Sequence, residues 1–186
     1  MMKTVRIATM TAAAALFANG ALAADNPMVG GAAMFETKTI IENAVNSADH
    51  TTLVAAVKAA GLVETLSGEG PFTVFAPTNE AFAELPAGTV EMLLKPENKA
   101  TLTKILTCHV LGAEAMSDAI MKMTAADGGS STITTVGGCD FTVMAMDGKI
   151  TVKDGQGRVA NVTIADVKQS NGVIHVIDKV LLPAVE

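Results

Sequence analysis

This sequence predicts an α+β domain, and three observations predict it. Apolar residues recur at helical spacing through the first half of the chain. Short β-branched runs, two of them followed by Asp-Gly turns, fill the second half. The two kinds of segment are segregated and do not alternate, which excludes a parallel sheet wound with helices.

The chain opens on a segment that stands outside this fold. Lys3 and Arg6 form a short positive region, residues 7–22 are mostly Ala, Leu, Met and Phe, and Ala21-Leu22-Ala23 has the small-x-small pattern of a cleavage site. Residues 1–23 read as a secretory signal peptide. Thr9, Thr11, Asn19 and Gly20 interrupt the apolar run, and spanning a bilayer takes about 20 predominantly apolar residues. Cleavage near Ala23 leaves 163 residues (186 − 23), enough for one domain with a hydrophobic core. The expected location is periplasmic or secreted, with no membrane span in the mature chain.

Residues 24–36 lack periodicity and read as a mobile lead-in. From Thr39, Ile40, Ile41, Ala44 and Val45 share one helical face. Asp49 is the expected cap of a second helix carrying Leu53, Val54, Val57 and Ala60 inward, with Gly61 as its stop. Leu62, Val63 and Leu66 extend that face until Ser67-Gly68-Glu69-Gly70-Pro71 breaks it. Residues 72–75 are a compact β-prone run, and Thr78 caps a short helix carrying Ala81 and Phe82. Val90, Leu93 and Leu94 give a further helical turn, and Leu102, Ile105 and Leu106 a helix after Pro96. Asp118 is placed as the cap of one more, through Met123. Strands are then expected over 132–136, 141–146, 150–152, 159–164 and 173–180.

Without the signal the chain carries 11 basic and 19 acidic residues, a net charge near −8 (11 − 19), and it has no Tyr or Trp. That balance argues against nucleic acid and anionic membrane surfaces as partners. Cys108 and Cys139 form an even pair, which in an exported protein predicts a disulfide. The three histidines, His50, His109 and His175, have no metal-site spacing, so no metal or cofactor is expected. His109 and His175 sit in apolar, strand-like runs and read as hydrogen-bonded structural residues. There is no G-x-S-x-G elbow, and Asp154-Gly155-Gln156-Gly157 completes neither a phosphate loop nor an EF-hand. The expectation is a protein without catalytic residues. Asn161-Val162-Thr163 is a glycosylation sequon within an expected strand.

Two segments carry a resemblance. Gly70-Pro71-Phe72-Thr73-Val74-Phe75-Ala76-Pro77-Thr78-Asn79-Glu80-Ala81-Phe82 resembles the first signature block of the fasciclin domain. Asn171-Gly172-Val173-Ile174-His175-Val176-Ile177-Asp178-Lys179-Val180-Leu181-Leu182-Pro183 resembles the second. The resemblance runs over residues 37–183 and implies a β-wedge flanked by several helices. It also implies adhesion to cells or matrix without a catalytic centre. Family contact segments fall here on Asp166-Val167, where Val replaces the usual Ile, and on Cys108-His109, where Cys replaces Tyr. Asp166, Val167, Cys108 and His109 are therefore the expected partner-binding residues. The partner implied is a cell-surface or envelope protein or glycan, bound by a monomer. An alternative rests on Met116, Met121, Met123, Met144 and Met146, which point to a Met-rich pocket carrying or sensing a small apolar ligand.

Overall fold

Strand β9 (Gly172–Ile177) is buried at every position, and the rest of the sheet is arranged around it. The structure, a computed structural model, describes residues 26–184; the expected signal peptide lies outside the described residues. On one side β9 pairs in parallel with β3 (Phe72–Pro77), which in turn pairs antiparallel with β4 (Val110–Leu111). On the other side the sheet continues antiparallel through β8 (Val159–Gln169), β7 (Lys149–Lys153), β6 (Asp140–Met146) and β5 (Ser130–Thr134). The seven strands thus run β4-β3-β9-β8-β7-β6-β5.

Both faces of β3 and β9 are covered, which explains their unbroken apolar run. Val74, Ala76, Ile174 and Val176 face a core built with helices α1 (Ile40–Ala44), α2 (Thr51–Ala60) and α6 (Lys99–Cys108). Phe75 and Ile177 enter a second core with Phe141, Val143, Ile150 and Val152, which helix α7 (Ser117–Ala126) joins through Ile120. Short helices α3 (Val63–Leu66), α4 (Asn79–Ala83) and α5 (Thr89–Leu93) complete the helical side. Cys108 and Cys139 are bridged, with Cα atoms 5.4 Å apart, and tie the end of α6 to the turn before β6.

Several local expectations are corrected. The lead-in is folded from Asn26 onward. Strands β1 (Met28–Val29) and β2 (Ala32–Ala33) form a small hairpin, and Val29 and Met34 are buried in the first core, which gives the segment apolar anchorage. Val45 faces solvent, and the polar Asn43 is buried in its place. Asn43 holds the Phe35 backbone at both its N–H (3.1 Å) and its carbonyl (2.8 Å), so burial leaves no amide contact wasted. Strand β9 stops at Ile177, because Asp178 turns to accept from the Asn161 backbone (2.7 Å) and side chain (2.6 Å). The sequon's amide nitrogen is engaged there. His109 follows α6 as its last cap residue and is not in a strand.

Neither Asp49 nor Asp118 caps a helix. A 3-10 turn at Ala48–His50 draws Asp49 away from the start of α2. The cap comes from across the fold: Asn79 accepts from the Thr52 backbone (3.0 Å) and the Thr51 hydroxyl (3.1 Å) and donates to the Ala48 carbonyl (2.8 Å). Asn79→Ala should cost about 1 kcal/mol in urea denaturation, the usual value of a lost cap, and Asn79→Asp less, since it keeps the acceptor. Equal losses for both would show that the acceptor is not what matters.

Candidate partner-binding site

The four expected partner-binding residues occupy two places, at β8 and at the end of α6 just before β4, with β3 and β9 between those strands. Asp166 lies where β8 slips register between Ile164 and Val167, and its φ of 57° is a left-handed conformation that Asp tolerates better than most residues. The bulge turns its carboxylate toward the start of α7. There Oδ1 accepts from the Ser117 backbone N–H at 2.7 Å, and Oδ2 accepts from the Ser117 hydroxyl. A negative group at a helix N-terminus also complements the helix dipole. This is the cap that Asp118 was expected to supply, contributed by a residue 49 positions away from Ser117.

The same corner is held from behind by His175. Its Nδ1 accepts from the Asp166 backbone at 3.3 Å, and its Nε2 donates to the Ala115 carbonyl at 2.7 Å. Those two partners define the tautomer. Burial pushes the His175 pKa below its ordinary value, against the opposing pull of the Ala115 carbonyl and the Asp166 charge. Thr73, buried in β3, donates to the Ala113 carbonyl (2.6 Å) and accepts from Ala115 N–H (2.8 Å). Residues 112–114 are exposed, and this set of bonds anchors them beside the bulge.

Val167 is fully buried in the first core. Cys108 is fully buried and disulfide-bonded, and His109 is 2% exposed. His109 Nδ1 donates to the Ile105 carbonyl (2.8 Å), and Nε2 accepts from Leu181 N–H (2.9 Å). Burial holds its pKa down at about 4; the Ile105 carbonyl and Asp154 resist that shift and Arg158 adds to it. Of the four, only Asp166 is not buried. The five methionines of the alternative pocket are spread over different places. Met123 and Met146 are exposed, Met121 packs on the second core, and none of the five methionines lines the apolar cavity on the helical side of the sheet.

One residue the sequence reading missed is Asp154, read there as part of a simple turn. Its buried carboxylate accepts from the backbones of Gln156 (2.9 Å), Arg158 (2.9 Å) and Leu182 (3.0 Å), and from the Arg158 guanidinium (2.7 Å and 3.0 Å). An Arg four residues after an Asp was the available signal.

A family model described as the Fasciclin domain matches residues 48–183. The chain belongs to the fasciclin family. It is 53% identical over 156 residues to Protein sll1483 of Synechocystis sp., covering 84% of this chain and 79% of that one. It is 39% identical over 131 residues to Transforming growth factor-beta-induced protein ig-h3 of Sus scrofa, a match covering 70% of this chain and 17% of the larger protein. Among solved structures, a FAS1 domain pair from the insect cell adhesion molecule Fasciclin I shares the fold, with a TM-score of 0.70 at 20% identity over 78% of this chain and 51% of that one.

In this fasciclin domain the two signature blocks, some hundred residues apart, lie side by side. Phe72 pairs with Gly172 and the register continues to Pro77 with Ile177. Gly172 is required at that contact: a Cβ there would sit 2.0 Å from the Phe72 carbonyl oxygen. Asn171 closes the junction, accepting from Ile40 N–H (3.0 Å) and donating to the carbonyls of Leu66 (2.8 Å) and Gly68 (2.9 Å). The fasciclin signature therefore encodes a packing junction. Among the described residues, no three His, Cys, Asp or Glu side chains converge as metal ligands.

Proposed function

We propose that this fasciclin protein is an exported, non-catalytic adhesion module that binds a cell-surface or envelope protein or glycan. The observation that carries the reading is membership of the fasciclin family, whose fold it shares with an insect cell adhesion molecule. Its contact surface is the exposed segment 112–114 together with Asp166, which the bulge, Thr73 and His175 hold in place. Val167, Cys108 and His109 act on that surface indirectly, by fixing the backbone beneath it. The N-terminal pattern supports export, and among the described residues no helix is long and apolar enough to cross a membrane.

A surface coated with the protein should retain cells of its own host saturably, and soluble protein should compete them off. Retention no greater than on an albumin-coated surface would overturn the reading. Asp166→Ala frees the start of α7 and should cost about 1 kcal/mol of stability. It should also lower retention severalfold while the domain stays folded. Full retention by that variant would move the contact surface elsewhere on the domain.

A further inference from the structure

An exposed valine needs no explanation by itself, since single apolar side chains are common on protein surfaces. Val136 is 54% exposed, and what sets it apart is the dense bonding of the loop that carries it. Residues 135–139 lead from β5 into β6, and the Cys108–Cys139 bridge staples their far end to α6. Gly137 N–H donates to the Thr107 carbonyl (3.0 Å), and the Gly137 carbonyl accepts from Lys104 Nζ (2.6 Å). A Cβ on Gly137 would sit 2.8 Å from the Cys108 nitrogen, so only glycine lets the loop lie this close to the helix end. Within the loop, Thr135 N–H donates to the Cys139 carbonyl (2.9 Å) and Gly138 N–H to the Thr135 carbonyl (2.9 Å). Val136 N–H reaches β4 and donates to the Val110 carbonyl (2.8 Å).

The Val136 side chain also meets the exposed segment 112–114. A Cβ on Gly112 would lie 3.7 Å from Val136 Cγ2, an ordinary contact distance, so the valine stands beside that glycine. Gly112, Ala113 and Val136 are all exposed, and they offer methyl groups and peptide backbone. Two acids border them: Glu114 is exposed at the end of the segment, and Asp140 is exposed where the loop enters β6. The cation that reaches the loop, Lys104, is bound to the Gly137 carbonyl. A sugar face set on this surface would leave ring hydroxyls with few partners, which is costly. An apolar pocket on a protein carries no such loss, and a fixed loop spares the ordering cost of binding. Basic side chains at the rim of that pocket would face Glu114 and Asp140.

We infer that Val136 is the apolar anchor of the adhesion surface proposed above, and that its partner is a protein with an apolar pocket rimmed by Lys or Arg; the inference rests on that adhesion reading. The measurement is competition, with soluble protein displacing host cells from a surface coated with the wild type. Val136→Ser should raise the half-competing concentration about tenfold, the loss expected when the exposed half of a valine is no longer buried. Its urea midpoint should stay at the wild-type value, because the loop is held by bonds that the variant keeps. Met146 is exposed at the other end of β6, roughly 20 Å from Asp140 along an extended strand, and Met146→Ser should compete as the wild type does. Glu114→Lys should weaken competition severalfold, and added salt should weaken that of the wild type. Protease treatment of the cells should abolish retention, whereas periodate, which cleaves sugars, should not. Wild-type retention no greater than on albumin would overturn the adhesion reading and the anchor with it. Retention by the wild type with undiminished competition by Val136→Ser would overturn the anchor alone. Retention lost on periodate treatment would assign the surface to a glycan and overturn the protein partner.

Discussion

Asp154→Ala should lower the folding free energy by about 4 kcal/mol, more than any other single substitution proposed for this domain. The side chain is 1% exposed and gathers three backbone N–H groups and a guanidinium from two distant parts of the chain. Removing a buried member of an ion pair typically costs about 3–5 kcal/mol, because its partners are left without a counter-charge or acceptor. Arg158 can relieve part of this, since its side chain is 36% exposed and also donates to the Val180 carbonyl at 2.7 Å. The N–H of Leu182 has no such escape. Asp154→Asn should recover less than half of the loss, because its amide would point a donor toward donors. Arg158→Met should cost less than Asp154→Ala, as the carboxylate keeps its three backbone bonds. Urea denaturation of the three variants decides the matter. A loss below about 1 kcal/mol for Asp154→Ala would mean that water already satisfies those donors.

Acid should destabilise the domain by about 3 kcal/mol through His109 alone. Unfolded, this ring takes up a proton near its ordinary value of 6.5; folded, it does so only near about 4. Between those values the unfolded chain holds more protons, so stability rises with pH across the window. The contribution is fully present above about pH 6.5 and is lost as pH falls toward about 4, at roughly 1.4 kcal/mol per pH unit. Geometry gives the same sign independently. A second ring proton would face Leu181 N–H, which Nε2 now accepts, and protonated His175 would likewise turn a proton toward Asp166 N–H. Burial lowers the pKa values of His175 and His50 as well, so they act in the same direction. His109→Gln keeps one donor and one acceptor but does not titrate. Its stability at pH 7 should be lower than wild type, and its loss between pH 7 and pH 4.5 should be smaller. Parallel pH profiles for the two proteins would exclude His109 as the titrating group.

Much of the fold was legible because local patterns and tertiary structure agree. The helical faces at Leu53, Val57 and Ala60, the capping Thr78 and the β-prone run from Phe72 to Phe75 each appear where spacing and propensity place them. Boundaries were less legible. Strand β8 runs on to Gln169, beyond the expected end at residue 164, because β9 supplies a partner across the bulge. The expected partner-binding residues could be named from the resemblance, but their depth could not be read from it. Sequence names Asp166 and His109, yet only packing reveals that one is a half-buried cap and the other an internal tether.

Residue type and spacing led to the α+β class, the two signature blocks carried the resemblance to the family, and the even cysteine count in an exported chain led to the expected disulfide, since periodicity, turn dipeptides and signature blocks are local properties of the chain. Tertiary structure decided everything that depends on a partner far away in sequence. Asn79 caps α2 and Asp166 caps α7, while the nearby Asp49 and Asp118 do not. The physical reason is that a helix terminus needs an acceptor at hydrogen-bond distance, whichever segment brings it there. His50 makes the same point in reverse. Sequence presents it as one more histidine, and only the packed fold buries its ring beside Ser47, 2.8 Å from the hydroxyl.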